Sequence, residues 1–235
     1  MAKKNSKIEF EDILLTEEER PYEIPNNWFW TSMGNIGKWG SGGTPSRSHE
    51  EYYGGDIPWV KTGELKNCIV YDTEEKITEL ALKKSSAKLF PINTVMIAMY
   101  GATIGQTGIM GVEATTNQAC ACVVPADFVI HEYVFYYAMS QRNVFIKKGK
   151  GGAQPNISQE IIKAHPIPIP PIEEQRRIVN VVKGFIEKLD HANELCGGLD
   201  KIESIKMAIY SQAFRGKLGT NNSNEPNAWS VMEGE

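Results

Sequence analysis

The sequence predicts an α+β fold, a β-rich globular domain followed by a long, coiled-coil-forming α-helix. Three observations predict it. Short runs of β-branched and aromatic residues recur between glycine-rich turns from Trp28 to about position 124. Over 171–214 an apolar residue returns every three or four positions, the period of an amphipathic helix. The chain has 235 residues, of which 41% are hydrophobic and 23% charged, enough for one domain of good size plus an extended element.

Taken in order, residues 1–25 are polar and acidic, and Thr16 stands three positions before Glu19 in a capping-box arrangement that predicts one short helix ended by Pro21 and Pro25. Strands are predicted over 28–33, 57–61, 68–71, 94–100, 107–112 and 119–124. Two helical passages interrupt them, 78–87 and 130–148, the second with Val134, Tyr137, Ala138, Gln141 and Phe145 on one partly apolar face. The globular domain is placed at 26–170. Its last stretch, Ile167-Pro168-Ile169-Pro170-Pro171, is extended rather than helical, because proline fixes φ, lacks a donor and keeps its predecessor out of the α region.

The helix is placed at 171–216, with Glu173 and Glu174 in a first turn whose dipole favours acids, Lys206, Arg215 and Lys217 toward its end, and Gly216 as the stop. Ile178, Val182, Phe185, Leu189, Ala192, Cys196 and Leu199 alternate steps of four and three, the a and d positions of a heptad, and such a seam calls for a partner helix. Ile178, Val182, Phe185, Leu189, Ala192 and Leu199 are therefore the candidate dimer interface. Beyond Leu199 the steps through Ile202, Ile205 and Ile209 shift the seam where Gly197 and Gly198 weaken the helix, which predicts a kink. At about 1.5 Å per residue the element would span roughly 60 Å. It reads as a spacer and dimerisation arm, or else as a core helix interrupted at the glycines. Residues 217–235 form a polar linker, and within it Pro226-Asn227-Ala228-Trp229 echoes Pro25-Asn26-Asn27-Trp28, as if a second repeat were beginning.

The formal net charge of −4 argues against a protein that coats nucleic acid without regard to sequence, but the acid excess sits at the two ends and leaves room for a local basic face. No apolar run is long enough to span a membrane, and the start is charged where a signal peptide would be apolar, so the cytoplasm is expected. Cys68, Cys120, Cys122 and Cys196 have no zinc-site spacing. His49, His131, His165 and His191 are scattered, so no catalytic residue, metal site or cofactor is assigned.

Gly37, Gly40, Gly42 and Gly43, followed by Thr44 and Arg47, either cradle a phosphate or form a flexible surface loop, and they match neither known nucleotide-binding glycine order. Asp56, Glu64 and Lys66 have the residue types of a Mg²⁺-dependent nuclease, two carboxylates for the metal and a lysine for the attacking hydroxide. They are equally a chance grouping in a charged chain. Signals facing DNA are broader. Arg142, Lys147, Lys148 and Lys150 follow one another with no acid between them and run into Gln154 and Asn156. Lysines contact phosphates, and side-chain amides pair bidentately with adenine. The turn from Tyr100 to Gly105 adds Tyr100 and Thr103 as possible readers. The alternatives for these stretches are a solvated helix end and a tight turn between strands.

Several stretches together resemble the specificity subunit of a type I restriction-modification system, in a half-length form: Pro25-Asn26-Asn27-Trp28, Gly43-Thr44-Pro45-Ser46, Tyr53 to Trp59, Gly101 to Gly105, Thr116-Asn117-Gln118, Gln154 to Ser158, Ile167 to Gln175 and Ala213 to Leu218. The resemblance implies a target-recognition domain that reads one half of a bipartite double-stranded DNA site, and a conserved spacer helix. In that family a full-length subunit carries two such units, and sequence varies most where bases are read. It implies modification (methyltransferase) and restriction subunits as partners, with the chemistry belonging to them, and a homodimer through the spacer helix if one unit acts alone. Arg47, Lys61, Tyr100, Thr103, Lys147, Lys148, Lys150, Gln154 and Asn156 are the expected DNA contacts. The alternatives are the Mg²⁺-dependent nuclease and an interaction remnant that no longer reads DNA.

Overall fold

The structure is a computed structural model that describes residues 10–149, 155–195 and 201–231. Its strands are β1 (Phe29–Ser32), β2 (Gly37–Ser41), β3 (Tyr53–Val60), β4 (Cys68–Val70), β5 (Lys76–Ile77), β6 (Val95–Ala98), β7 (Thr107–Met110), β8 (Thr115–Thr116), β9 (Cys120–Pro125) and β10 (Pro166–Ile169). Its helices are α1 (Phe10–Ile13), α2 (Glu79–Lys84), α3 (His131–Ser140), α4 (Arg142–Lys148), α5 (Gln159–Lys163), α6 (Ile172–Leu195) and α7 (Ile202–Ala213). The α+β class read from the sequence holds. The chain divides into two compact units, residues 37–162 and residues 1–36 with 163–235.

In the unit 37–162, five strands form a sheet in the order β2-β9-β6-β7-β4, antiparallel except where β4 runs parallel to β7. The central strands β6 and β9 read as unbroken apolar runs because both faces are covered. Helix α3 lies against β6, β7 and β9, burying Tyr133, Val134, Tyr137 and Ala138. Met96, Ala98, Met110, Cys120 and Cys122 join Val60, Leu65, Val70 and Phe90 in one cluster. A smaller sheet, β5-β3-β8, packs Trp59 and Ile77 with Ala81 of α2. Helix α2 starts where Thr78 accepts a hydrogen bond from the Ala81 amide at 3.2 Å.

Two expectations change here. The glycine run begins as an edge strand rather than a loop: β2 pairs with β9 along its whole length, and a Cβ on Gly37 would stand 2.2 Å from the Val124 carbonyl oxygen. The single helix expected over 130–148 is two, broken at Gln141, whose φ of −91° and ψ of 1° leave the helical range while its amide shares the Tyr137 and Ala138 carbonyls.

In the unit formed by the chain ends, β1 and β10 make a two-stranded antiparallel sheet. Prolines alternate along Pro166-Ile167-Pro168-Ile169, so donors are missing from one edge only, and the amides of Ile167 and Ile169 remain on the other. Alternation makes an edge strand of what reads as a stiff connector. The capping box forms, with the Glu19 carboxylate accepting from the Thr16 amide and hydroxyl at 2.9 Å each, but it closes one 3-10 turn, Glu17–Glu19.

The element expected as one long helix is a pair. Helix α6 ends at Leu195, α7 starts at Ile202, and the two pack together, with Lys206 Nζ 2.6 Å from Asp190 Oδ1. Sixteen residues along a continuous helix would separate those groups by about 24 Å. Gly197 and Gly198, which lie outside the described residues, each disfavour helix by about 1 kcal/mol relative to alanine. Cys196 and Leu199 of the predicted seam lie outside the described residues. After α7 the chain returns to the start of α6, where Arg177 Nε donates to the Thr220 carbonyl at 3.0 Å and its Nη2 lies 2.7 Å from Glu225 Oε2.

Candidate nucleic-acid interface

One end of the five-stranded sheet collects most of the loops singled out from the sequence. Strands β2 and β6 finish there and β9 and β7 begin there, as the pairs Ser41↔Ala121, Ala98↔Cys120 and Ile97↔Thr107 require. Strand β3 finishes beside them: Val60 pairs with Thr116, and the Asn117 amide donates to the Val60 carbonyl at 3.0 Å. The segments 42–48, 61–66, 99–106 and 117–119 therefore emerge together. A bridge between Tyr100 and Asn156 brings in the segment from Pro155, fixed by Gly101 N to Pro155 O at 2.8 Å and Ile157 N to Met99 O at 2.9 Å.

Tyr100 and Asn156 are thus neighbours, and both are exposed. Thr103 is partly exposed and spends its hydroxyl locally, donating to the Tyr100 carbonyl at 2.7 Å. Beside this turn lies the end of α4: a Cβ on Gly149 would stand 3.4 Å from Ile104 Cδ1 and 3.5 Å from Pro155 Cβ. Gly105, at φ 73°, lies so close to Arg142 that a Cβ would come within 2.8 Å of its Cγ. Lys147 and Lys148, in the last turn of α4, are exposed and make no ion pair among the described residues. Lys150 and Gln154 lie outside the described residues.

Arg47 and Lys61 differ in kind. Arg47 Nη1 lies 2.7 Å from Glu75 Oε2, and Lys61 Nζ lies 2.9 Å from both Glu75 Oε1 and Glu74 Oε2. The Arg47 guanidinium stacks over Tyr53, 4.2 Å from the ring centroid, with Trp59 at 5.4 Å. Hydrogen bonds donated by Arg47 and Lys61 hold the Glu75 carboxyl down at about 2, and those that Lys61 donates to Glu75 and Glu74 push its ammonium up to about 12. Both cations are present at this end of the unit, already compensated.

Compared with known proteins, residues 25–196 match the model of the type I restriction modification DNA specificity domain. The chain belongs to that family. The match contains nearly all the stretches that carry the resemblance, and it ends one residue beyond α6. Among curated members, the EcoR124I/EcoR124II specificity subunit of Escherichia coli is 31% identical over 182 residues, covering 75% of this chain and 44% of that protein. The MjaIX specificity subunit of Methanocaldococcus jannaschii is 32% identical over 200 residues, 82% of this chain and 45% of that one. This specificity-domain chain thus spans less than half the length of those relatives. The crystal structure of the HsdS subunit from Thermoanaerobacter tengcongensis shares its fold, with a TM-score of 0.60 at 21% identity over 88% of this chain and 49% of that one.

Of the nuclease grouping, Glu64 is engaged by backbone amides. Glu64 accepts from the Lys61 amide at 2.7 Å and the Glu74 amide at 2.9 Å, one bond to each carboxylate oxygen, so it closes a turn. Asp56 is exposed on β3, and among the described residues no group of three His, Cys, Asp or Glu side chains could hold a metal ion.

The seam is also redistributed. Ile178 and Val182 are buried within the single chain, at 1% and 0% exposure, and so are unavailable to a partner as they stand. Phe185 is 46% exposed, and Leu189 and Ala192 are partly exposed. Ile205 of α7, outside the expected set, is 42% exposed.

Sequence reading missed a contact between two of the family's own stretches. The Thr44 hydroxyl donates to Gln118 Oε1, and both side chains are exposed. Their separation of 74 positions hides this in the sequence. The available signal was partial, since of the two stretches only Thr116 to Gln118 adjoins a predicted strand, 119–124.

Proposed function

We propose that this chain is the non-catalytic DNA-specificity subunit of a type I restriction-modification complex, reading one half of a bipartite site in double-stranded DNA. The observation that carries this reading is the convergence of separate family stretches, Gly43 to Ser46, Gly101 to Gly105, Thr116 to Gln118 and the segment at Asn156, at one end of one sheet. Strand ends fixed by a buried sheet hold side chains more accurately than free loops do. Phosphate contacts fall to Lys147, Lys148 and Lys150, with Arg47 and Lys61 available when DNA displaces their carboxylates. Base reading falls to Tyr100, Thr103, Gln154 and Asn156. Modification subunits dock on this scaffold and supply methyl transfer, and restriction subunits supply cleavage, in the cytoplasm.

Two copies pair through the helical hairpin, using Phe185, Leu189 and Ala192 of α6 and Ile205 of α7. Apolar side chains as large as Phe185 and Ile205, left more than 40% exposed, favour such cover. An isologous pair presents two identical readers, which predicts a palindromic bipartite site.

The deciding experiment mixes the chain with its modification subunit and maps methylated adenines by sequencing. A palindromic bipartite motif is expected, and methylation that ignores sequence would reject the reading. Phe185→Asp is expected to yield monomers by light scattering without unfolding, since the side chain is half exposed. An unchanged mass would reject the hairpin as the dimer contact.

A further inference from the structure

We propose that Thr44 and Gln118 form a DNA-phosphate clamp, with Gln118 as the contacting residue and Thr44 as its positioning residue; this rests on the reading of the chain as a DNA-binding subunit. The pair is exposed, yet both of its backbones are fixed. On the Thr44 side, the Gly43 amide donates to the Thr116 carbonyl at 2.9 Å, Trp59 Nε1 donates to the Gly43 carbonyl at 3.0 Å, and the Tyr53 hydroxyl donates to the Pro45 carbonyl at 2.5 Å. Gly42 and Gly43 admit no side chain: a Cβ would stand 1.9 Å from the Thr116 carbonyl oxygen at the first and 2.2 Å from Ser86 Oγ at the second. The glycine run is therefore a close approach of backbone to backbone, not a loose loop. On the Gln118 side, the Asn117 amide is tied to Val60, and Asn117 Oδ1 accepts from the Ala119 amide at 3.2 Å.

The bond between the two side chains gives the amide a direction. Thr44 donates to Oε1, which leaves the two Nε2 hydrogens as the groups Gln118 presents outward. An outward pair of donors suits an acceptor such as a phosphodiester oxygen. Reading adenine would ask the same amide to accept through Oε1 as well as donate. The electrostatics agree: neither 41–48 nor 114–122 contains an acid, and Arg47 lies on the same loop. A donor held in place before DNA arrives loses little entropy on contact and fixes the register in which neighbouring loops meet the bases.

The test uses the full chain, fluorescence anisotropy on duplexes of several unrelated sequences, and ethylation interference to locate contacted phosphates. Gln118→Ala is expected to weaken every duplex by about tenfold, the worth of a hydrogen bond to a charged group. The slope of log affinity against log salt should not change, because no charge is removed. One interfering phosphate should vanish from the ethylation pattern. Thr44→Val should reproduce the loss and Thr44→Ser restore it, at an unchanged melting temperature. Unaltered affinity in Gln118→Ala, or a loss confined to some sequences, would overturn the clamp. Wild-type chain that binds no duplex would overturn the DNA-binding reading itself, and the clamp with it.

Discussion

Two pairs of cations at the edge of the unit 37–162 have opposite electrostatic histories. Lys147 and Lys148 end α4 exposed and without ion partners among the described residues. Arg47 and Lys61 share Glu75, and Lys61 also holds Glu74. The first pair would bring a phosphate its full charge. The second must release a carboxylate first, so its net gain from a phosphate is the difference between two anions. Residue type alone makes the four look equivalent, and only their neighbours separate free cations from compensated ones.

The largest expected effect comes from the ready pair. Lys147→Glu with Lys148→Glu should weaken duplex binding by about a hundredfold near 0.1 M salt, uniformly across sequences, and flatten the salt dependence by about two in slope. Binding titrations over a salt series check this. A loss as large from Arg47→Glu alone would break the distinction between the pairs.

Smaller, and opposite in sign, is the effect of removing the guard. Glu75→Gln frees Arg47 and leaves Lys61 with Glu74 alone, so affinity for non-cognate duplexes should rise by about three- to tenfold with a steeper salt slope. A fall in affinity would mean that Glu75 holds the cations where DNA needs them. The same variant has a signature in acid. Glu75 titrates at about 2 in the folded chain, below the ordinary 4.5, so its ion pairs stabilise the fold in full above about pH 4.5. That contribution fades as pH falls toward 2. Denaturant unfolding should show wild type ahead of Glu75→Gln at neutral pH and level with it near pH 2.

The sequence was legible where a single period or motif decides the outcome. Strands β6 and β7 fall within the predicted runs, and β9 passes the end of its run by one residue, because buried central strands are apolar and β-branched regardless of context. Pairing was less legible. Gly37 to Ser41 looks like a loop until Val123 and Val124 are seen beside it, and Pro166 to Ile169 looks like a connector until β1 supplies its partner. Periodicity marks Ile178 and Val182 as apolar seam positions but does not say which surface covers them. Ile178 and Val182 found cover at home. Glu174 shows the same limit: the helix dipole explains an acid in the first turn, but not that it is buried, hydrogen-bonded by Trp28 Nε1 and Asn221 Nδ2 at 2.8 Å each, with burial pushing its carboxyl up. Of the site, the cations were visible and their compensation was not, since Glu75 lies 28 positions from Arg47 and 14 from Lys61.

The smallest effect sharpens the comparison most. Arg47→Lys keeps the charge and removes the planar group that stacks on Tyr53 and pairs with Glu75. If Arg47 is guarded, the cost falls on the fold: about 0.5–1 kcal/mol of cation–π contact at a largely exposed site, or about 1–4 °C in melting temperature for a unit of this size. Duplex affinity should then stay within about twofold of wild type, because charge rather than geometry governs an indirect phosphate contribution. If instead Arg47 leaves Glu75 and grips a phosphate or a guanine edge with both nitrogens, lysine cannot replace it, and affinity should fall by about tenfold or more while the melting temperature barely moves. Thermal melting and anisotropy on the same preparation separate the two outcomes, and the second would place Arg47 beside Lys147 and Lys148 among the direct contacts.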